Sequence, residues 1–394
     1  SFYDNFTPAV IEEQLIGGLK EGFNVCEEIC DRWADGDRVG LSYEGIARPA
    51  SQHTYAELKE KSARFANFLN SQGIGKGDRV AALLPRTPEL MVVILGTLRA
   101  GAVYQPLFTA FGPGAIEYRL GTAKTKLVIT DADNRSKLDT VKGCPPIMMV
   151  GDAREGDLSF NDEMLNQSTE FEPVRIGAND PFLQMFTSGT VGKAKGVAVP
   201  ARAILSFYVY MRYAIGLRPD DIYWNVADPG WAYGLYYAVG LRVASSAGEP
   251  LNPEVINWVK SRLGCTVMDH YGQTETGMTC CNHLDLEQSI VRVGSMGFSL
   301  PGHRVVVLSS DYEELGENEI GQLAVDVEQS PLFFFQGYTW GEKDPFKGRY
   351  YLTGDVVMSH GDGSYSFTGR DDDIITTAGY RVGPADVEST LLEH

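Results

Sequence analysis

Two kinds of hydrophobic pattern alternate through the first part of the chain. From Thr54 to Asn70 (TYAELKEKSARFANFLN) apolar residues recur at three- and four-residue spacing, as on one face of a helix. Thr54 followed by Glu57 forms a capping box that fixes where this helix begins. Asp78–Leu84, behind the turn GIGKGD, is apolar but too short for a helix and reads as a buried strand. Pro88–Ala100 predicts a second helix ended by Gly101, and Ala102–Pro106 a second strand. Tyr118–Ala123 and Lys126–Thr130 repeat the alternation. Helices alternating with buried strands predict a parallel, doubly wound sheet. Ahead of it, residues 1–50 read largely as helices, with Val10–Leu19 amphipathic and Val25–Ala34 apolar at helical spacing.

The period changes to two beyond Gly294. Valine-rich alternating stretches at His303–Leu308, Gly321–Val327, Arg349–Met358 and Ser364–Thr368 are separated by Gly/Asp turns. They predict hairpins or a small barrel, with His360–Gly363 (HGDG) as one of the tight turns. Pro384–Leu392 starts a further helix. The expected class is α/β: a large N-terminal domain of doubly wound sheets with a small β-barrel-like part.

Composition narrows the function classes. With 34 Lys+Arg against 52 Asp+Glu the formal charge is -18, which argues against nucleic acid and anionic membrane surfaces as partners. A phosphorylated ligand must then be held locally, by loop amides, a few basic side chains and a metal ion. The six cysteines include no CxxC pair, and His283 beside Cys280 and Cys281 has no second ligand pair at zinc spacing. They read as reduced thiols of a cytosol-like compartment, with Cys26 and Cys30 sharing a helix face as packing groups. The longest apolar run, Leu90–Leu98, is far short of the ~18 residues of a membrane span. No signal peptide opens the chain, and the expected location is cytoplasmic.

Three segments carry candidate chemistry. Thr187–Gly196 (TSGTVGKAKG) follows the apolar stretch Pro181–Phe186 and joins hydroxyls, glycines and lysines in a way that suits a polyphosphate. It is not a Walker loop, because no GK[ST] closes it, and a plain Gly/Ser surface loop is the alternative. In Asp269–Gly277 (DHYGQTETG), Glu275 beside Thr274 is a candidate Mg²⁺ ligand, with a structural role as the alternative. In YLTGD, Asp355 follows a strand and a glycine, where a carboxylate can accept from vicinal ribose hydroxyls; Arg370 and Arg381 can pair with ribose or phosphate oxygen. The run Asp371–Asp373 would by default be a solvated turn.

Together TSGTVGKAKG, SSAGEP (Ser245–Pro250), YGQTETG, YLTGD and GRDDDII…GYRVGPADVE resemble, in their order, the AMP-forming acyl-CoA synthetases of the adenylate-forming superfamily. LRAGAVYQPL (Leu98–Leu107) matches another core segment, and NVCEEICDRWA is most similar to the acetyl- and medium-chain branch. The resemblance implies that ATP and a carboxylic acid give an acyl-adenylate and pyrophosphate, after which coenzyme A displaces AMP. It implies that Thr187, Ser188, Gly189, Thr190 and Lys195 hold the β- and γ-phosphates. Gly248, Glu249 and Pro250 would line the adenine, with Tyr271 stacked on its face. Asp355 and Arg370 would take the ribose, Thr274 and Glu275 the α-phosphate and Mg²⁺, and Arg381 phosphate in one of two states. Asp372 matches the hinge of a small C-terminal α+β domain, and Gly379 a glycine that leaves room for the pantetheine arm. Trp231 (DPGWAYG) matches an acyl-pocket wall, and Gly272 stands where acetate-specific members carry a tryptophan, so an acid longer than acetate is expected.

The chain departs from the family at three places. Val191 and Ala194 replace the usual Thr and Pro of the phosphate loop, which removes one hydroxyl donor. Trp231 lies only 17 residues before Gly248, where family members carry a much longer stretch, so a segment is expected to be missing near 239–240. The sequence stops 22 residues past Asp372, ahead of the family's adenylating lysine, and the native protein is expected to continue. The expected domains are 1–371, adenylating, and 372–394, the hinge and first helix of a truncated C-terminal domain. Two other functions stay open: an adenylation domain that loads a carrier protein, and a non-catalytic nucleotide-binding module.

Overall fold

The computed structural model describes residues 6–45, 48–187, 194–218, 221, 223, 244–247, 261, 267–282, 292, 294–340, 344–371, 375–377 and 380–382. A hairpin of β1 (Val39–Tyr43) and β2 (Ser51–Thr54) precedes the first large sheet. That sheet is built from β3 (Arg79–Leu83), β4 (Val103–Pro106), β5 (Leu127–Asp131), β6 (Ile147–Val150), β7 (Leu158–Ser159), β8 (Pro181–Thr187) and β9 (Lys195–Pro200). Its order is β7-β6-β5-β3-β4-β8-β9, parallel throughout except for the antiparallel pair β8–β9.

The predicted alternation holds here because both faces of the sheet are covered. Val80, Ala82 and Leu84 enter one core, with the helices Tyr55–Ser71 and Pro88–Arg99. Ala81, Leu83 and Val128 enter the other, with Ile116 and Leu120 of the helix Pro113–Ala123. The capping box at Thr54 is formed as predicted: its hydroxyl accepts from Glu57 N at 3.1 Å, and Glu57 accepts from Thr54 N at 2.9 Å.

The N-terminal expectation needs correction. Only Ala9–Glu12 and Val25–Ile29 are α-helical in the described part of that region, with a 3-10 turn at Asp31–Trp33. The helix predicted to run on to Leu19 stops because the buried Glu28 carboxylate accepts from Ile16 N at 2.8 Å and Gly17 N at 3.2 Å. Those amides are spent on a tertiary contact and not on the next helical turn.

A second sheet has the order β10-β11-β12-β13, from β10 (Ala244–Ala247), β11 (Val267–Gln273), β12 (Gly277–Cys281) and β13 (Phe298–Ser299). β10 and β11 are parallel, and the remaining pairs antiparallel. The period-two region folds as an antiparallel sheet of β14 (Val305–Leu308), β15 (Ile320–Asp326), β16 (Phe346–Lys347), β17 (Tyr350–Ser359) and β18 (Tyr365–Arg370). The HGDG turn joins β17 to β18, with Gly363 at φ 84°. A last hairpin pairs β19 (Ile375–Thr377) with β20 (Tyr380–Val382). The helix predicted at Pro384–Leu392 lies outside the described residues. Among the described residues no helix is long and apolar enough to cross a membrane.

Candidate active site

β11 and β17 bring two of the candidate segments together. Side chains two residues apart on a strand share a face, so Tyr271 and Gln273 on β11 both reach Asp355 on β17. The Tyr271 hydroxyl donates to Asp355 Oδ2 at 2.5 Å, and Gln273 Nε2 donates to the same oxygen at 2.8 Å. Arg370, opposite Asp355 in the β17–β18 register, donates from Nη1 to Oδ1 at 3.1 Å. Gln273 also donates to the Thr353 carbonyl at 2.9 Å and accepts from the Tyr351 hydroxyl at 3.0 Å. Gly354, just ahead of the carboxylate, sits at φ 76°, a left-handed conformation that accounts for the glycine of YLTGD. Asp355 is 4% exposed, and this burial pushes its carboxyl above the ordinary range, against the pull of Tyr271, Arg370 and Gln273.

The second carboxylate lies in the turn between β11 and β12. Glu275 is 7% exposed and accepts from the Tyr338 hydroxyl at 2.7 Å. Burial raises its carboxyl above the usual range, while Tyr338 and then the charges of Lys195 and Arg370 pull it down. Lys195 opens β9, directly across the hairpin from Thr187, and its Nζ lies 4.3 Å from the centre of the Tyr338 ring. The Lys195 end of the phosphate-loop segment is therefore linked to Glu275 through Tyr338, and Lys195 and Arg370 both act on Glu275. Two buried carboxylates and two partly exposed cations form one mixed-charge cluster at the junction of three motifs.

Not every predicted residue is positioned. Thr187, Lys195, Tyr271, Gly272, Thr274, Glu275, Asp355 and Arg370 are described, and Arg381 lies on β20 with only its backbone described. Ser188, Gly189, Thr190, Trp231, Gly248, Glu249, Pro250, Asp372 and Gly379 lie outside the described residues. Gly272 gains a second explanation. A Cβ there would stand 2.3 Å from Gly277 O and 2.7 Å from Met278 Cα, at an irregularity in the β11–β12 register. A side chain at 272 of this chain would first require the β11–β12 backbone to shift.

Sequence reasoning missed Gln273, Tyr338, Tyr351 and Thr353. For three of them a signal existed: strand alternation groups Gln273 with Tyr271, and Tyr351 and Thr353 with Asp355. Tyr338 lies between named strands and carries no periodic signal.

The fold and this cluster define a nucleotide-handling enzyme, and the comparisons give its family. The chain belongs to the AMP-binding enzyme family, whose model matches residues 30–240 and 238–338. It is 45% identical to an acyl-CoA synthetase of Brucella canis, covering 100% of this chain and 83% of that one, with a TM-score of 0.90. It is also similar to the acetyl-coenzyme A synthetase of Bacillus subtilis, at 29% identity over 94% of this chain and 76% of the relative. The ATP-bound structure of MatB from Rhodopseudomonas palustris is 25% identical over 93% of this chain and 82% of MatB, with a TM-score of 0.80. Within the family the chain belongs with the AMP-forming acyl-CoA synthetases, ligases that activate a carboxylic acid with ATP and pass the acyl group to coenzyme A.

Proposed function

We propose that the acid is longer than acetate, from propionate to medium chain or a branched or aromatic acid, and that Asp355, Arg370, Glu275 and Lys195 form the working centre. The observation that carries the centre is that Arg370 acts on both buried carboxylates, pairing with Asp355 at 3.1 Å and acting with Lys195 on Glu275. In the first half-reaction a carboxylate oxygen of the acid attacks the α-phosphorus of ATP. The bond from that phosphorus to the bridging oxygen breaks, and pyrophosphate leaves. In the second, the thiol of coenzyme A gives up its proton as its sulfur attacks the acyl carbon, the bond from that carbon to the phosphate oxygen breaks, and AMP departs with the electron pair. Neither step needs a protein nucleophile; both need charge stabilised where it develops.

Asp355 suits the ribose diol as a buried acceptor held rigid by three donors, and Thr187 with Lys195 suits the distal phosphates. Tyr271 is assigned to the adenine face. Ser188, Gly189, Thr190, Gly248, Glu249, Pro250, Trp231, Arg381, Asp372 and Gly379 keep the roles that the family resemblance implies for them. Glu275 suits Mg²⁺: it is a single buried carboxylate, and no group of three or more His, Cys, Asp or Glu is found among the described residues. Such a cation would take its remaining ligands from phosphate and water, its usual preference in nucleotide sites. Bound there, Mg²⁺ would neutralise charge on the polyphosphate.

The organisation of the chain is part of the same proposal: an adenylating unit over 1–371, a hinge from 372, and a segment absent near 239–240. The family match in two pieces meeting at 238–240 supports the last point. So does a Bacillus subtilis alignment that runs to 444 positions, more than the 394 residues of the chain. A reducing, cytoplasm-like compartment is supported by Cys26, Cys30, Cys144, Cys280 and Cys281, all free thiols.

ATP–pyrophosphate exchange over a panel of acids, followed by AMP release with and without coenzyme A, tests the activity. Exchange is expected to favour propionate or longer acids over acetate, and AMP release to require coenzyme A. Exchange that coenzyme A does not carry forward would favour carrier-protein loading. A preference for acetate would overturn the chain-length assignment.

A further inference from the structure

Tyr338 lies on the short segment that crosses the base of the phosphate-loop hairpin. Thr339 N donates to Gly196 O at 2.9 Å, and Trp340 forms an antiparallel bridge with the same glycine. The Trp340 ring stands 5.2 Å from that of Phe186 on β8, and the Tyr338 ring packs edge-on to Phe335 at 5.0 Å. The segment is thus fastened to both arms of the hairpin by contacts that do not involve the Tyr338 hydroxyl. That hydroxyl is directed to Glu275 Oε1 at 2.7 Å, while the ring face receives Lys195 Nζ at 4.3 Å. One side chain therefore touches the anionic and the cationic arm of the cluster at once.

We propose that Tyr338 is a positioning residue for acid activation, its hydroxyl fixing the rotamer of Glu275 and its ring holding the Lys195 ammonium. A carboxylate with one oxygen anchored presents the other in a fixed direction, and an ammonium over an aromatic face is held at a set distance by its attraction to the ring. The polyphosphate and its cation then meet two arms already set apart, with less ordering left for the binding step. The role rests on the assignment of Glu275 to the cation.

The test measures ATP binding to the 394-residue chain by calorimetry, in excess Mg²⁺ and in EDTA. The ratio of the two affinities reports the Mg²⁺-dependent gain. Tyr338→Phe keeps the ring, so folding and the Lys195 contact are preserved. It should reduce the gain about tenfold, the scale of a lost hydrogen bond to a charged group, and leave the EDTA affinity within about twofold. Tyr338→Leu should also weaken binding in EDTA, because Lys195 loses its ring. The double variant Tyr338→Phe/Glu275→Gln should be no weaker than Glu275→Gln alone, since Tyr338 acts through that carboxylate. An unchanged gain in Tyr338→Phe, or effects that add in the double variant, would overturn the role. If Glu275→Gln itself leaves the gain intact, the assignment of Glu275 fails first, and the role of Tyr338 with it.

Discussion

Both oxygens of Asp355 already accept hydrogen bonds, Oδ2 from Tyr271 and Gln273 and Oδ1 from Arg370. A diol docking there uses the remaining lone pairs, so its affinity depends on how firmly those donors aim the carboxylate. Gln273→Leu removes a donor to Asp355 and an acceptor of the Tyr351 hydroxyl; AMP affinity is expected to fall about tenfold. Titration calorimetry decides this, and a change under about twofold would take Gln273 out of the site. A different residue contributes to acid sensitivity. His303 is buried, its Nδ1 has no hydrogen-bond partner among the described residues, and desolvation lowers its pKa to about 4. The unfolded chain protonates this histidine near pH 6.5 while the folded chain does not. Stability is therefore lost as pH falls from about 6.5 through 4, by up to about 3 kcal/mol. Urea unfolding at stepped pH should show that loss and show it shrink in His303→Leu. The partners of Asp355 were legible in the sequence once strand alternation was applied to YGQTE and YLTGD. Tyr338 was not, because it lies between strands and carries no period to read.

Where an element's hydrogen bonds stay within the element, its pattern announced it. The helix Tyr55–Ser71 and the strands β3 to β5 were predicted to within a few residues, since capping, helical spacing and two-sided burial act locally. The N-terminal region failed this test because its polar groups bond across the fold. The Asn24 side chain accepts from Cys26 N at 2.9 Å and Glu27 N at 3.3 Å. Its Nδ2 meanwhile donates to Leu98 O at 2.9 Å, Arg99 O at 3.2 Å and Val174 O at 2.8 Å. One fully buried amide thus caps the helix Val25–Ile29, closes the end of Pro88–Arg99, and ties both to the chain ahead of β8. Asn24→Ala is expected to cost about 2–3 kcal/mol, more than an ordinary cap, because buried carbonyls also lose a donor. The shift in urea midpoint measures it; a loss below about 1 kcal/mol would mean that neighbouring amides take over. The β1–β2 hairpin escaped sequence reading for the opposite reason: its strands are partly exposed and lack a clean apolar alternation.

At the scale of the whole molecule, a charge of -18 surrounds a site that must accept polyanionic ATP. In the proposed reading, the cluster of Lys195 and Arg370 with two buried carboxylates meets that demand locally. The second sheet bears on the segment proposed to be missing. Among the described residues β10 stands at the end of the order β10-β11-β12-β13, and its sequence Ala-Ser-Ser-Ala carries neither charge nor proline. An edge of that kind offers unpaired backbone groups to any extended chain, and proteins usually cover or charge such edges. A segment joining the two halves of the family match is well placed to do the covering. Grafting the corresponding segment of the Brucella canis enzyme between Val239 and Gly240 should therefore act on assembly and on catalysis together. The 394-residue chain is expected to self-associate with rising concentration, and the grafted chain to sediment as a smaller species. Pyrophosphate exchange should rise at least about tenfold in the grafted chain, because a covered edge and a completed crossover hold the Tyr271–Glu275 turn in place. Sedimentation velocity and exchange on the same preparations check both outcomes. Equal sedimentation and equal exchange in the two chains would mean that the short junction at 239–240 is sufficient as it stands.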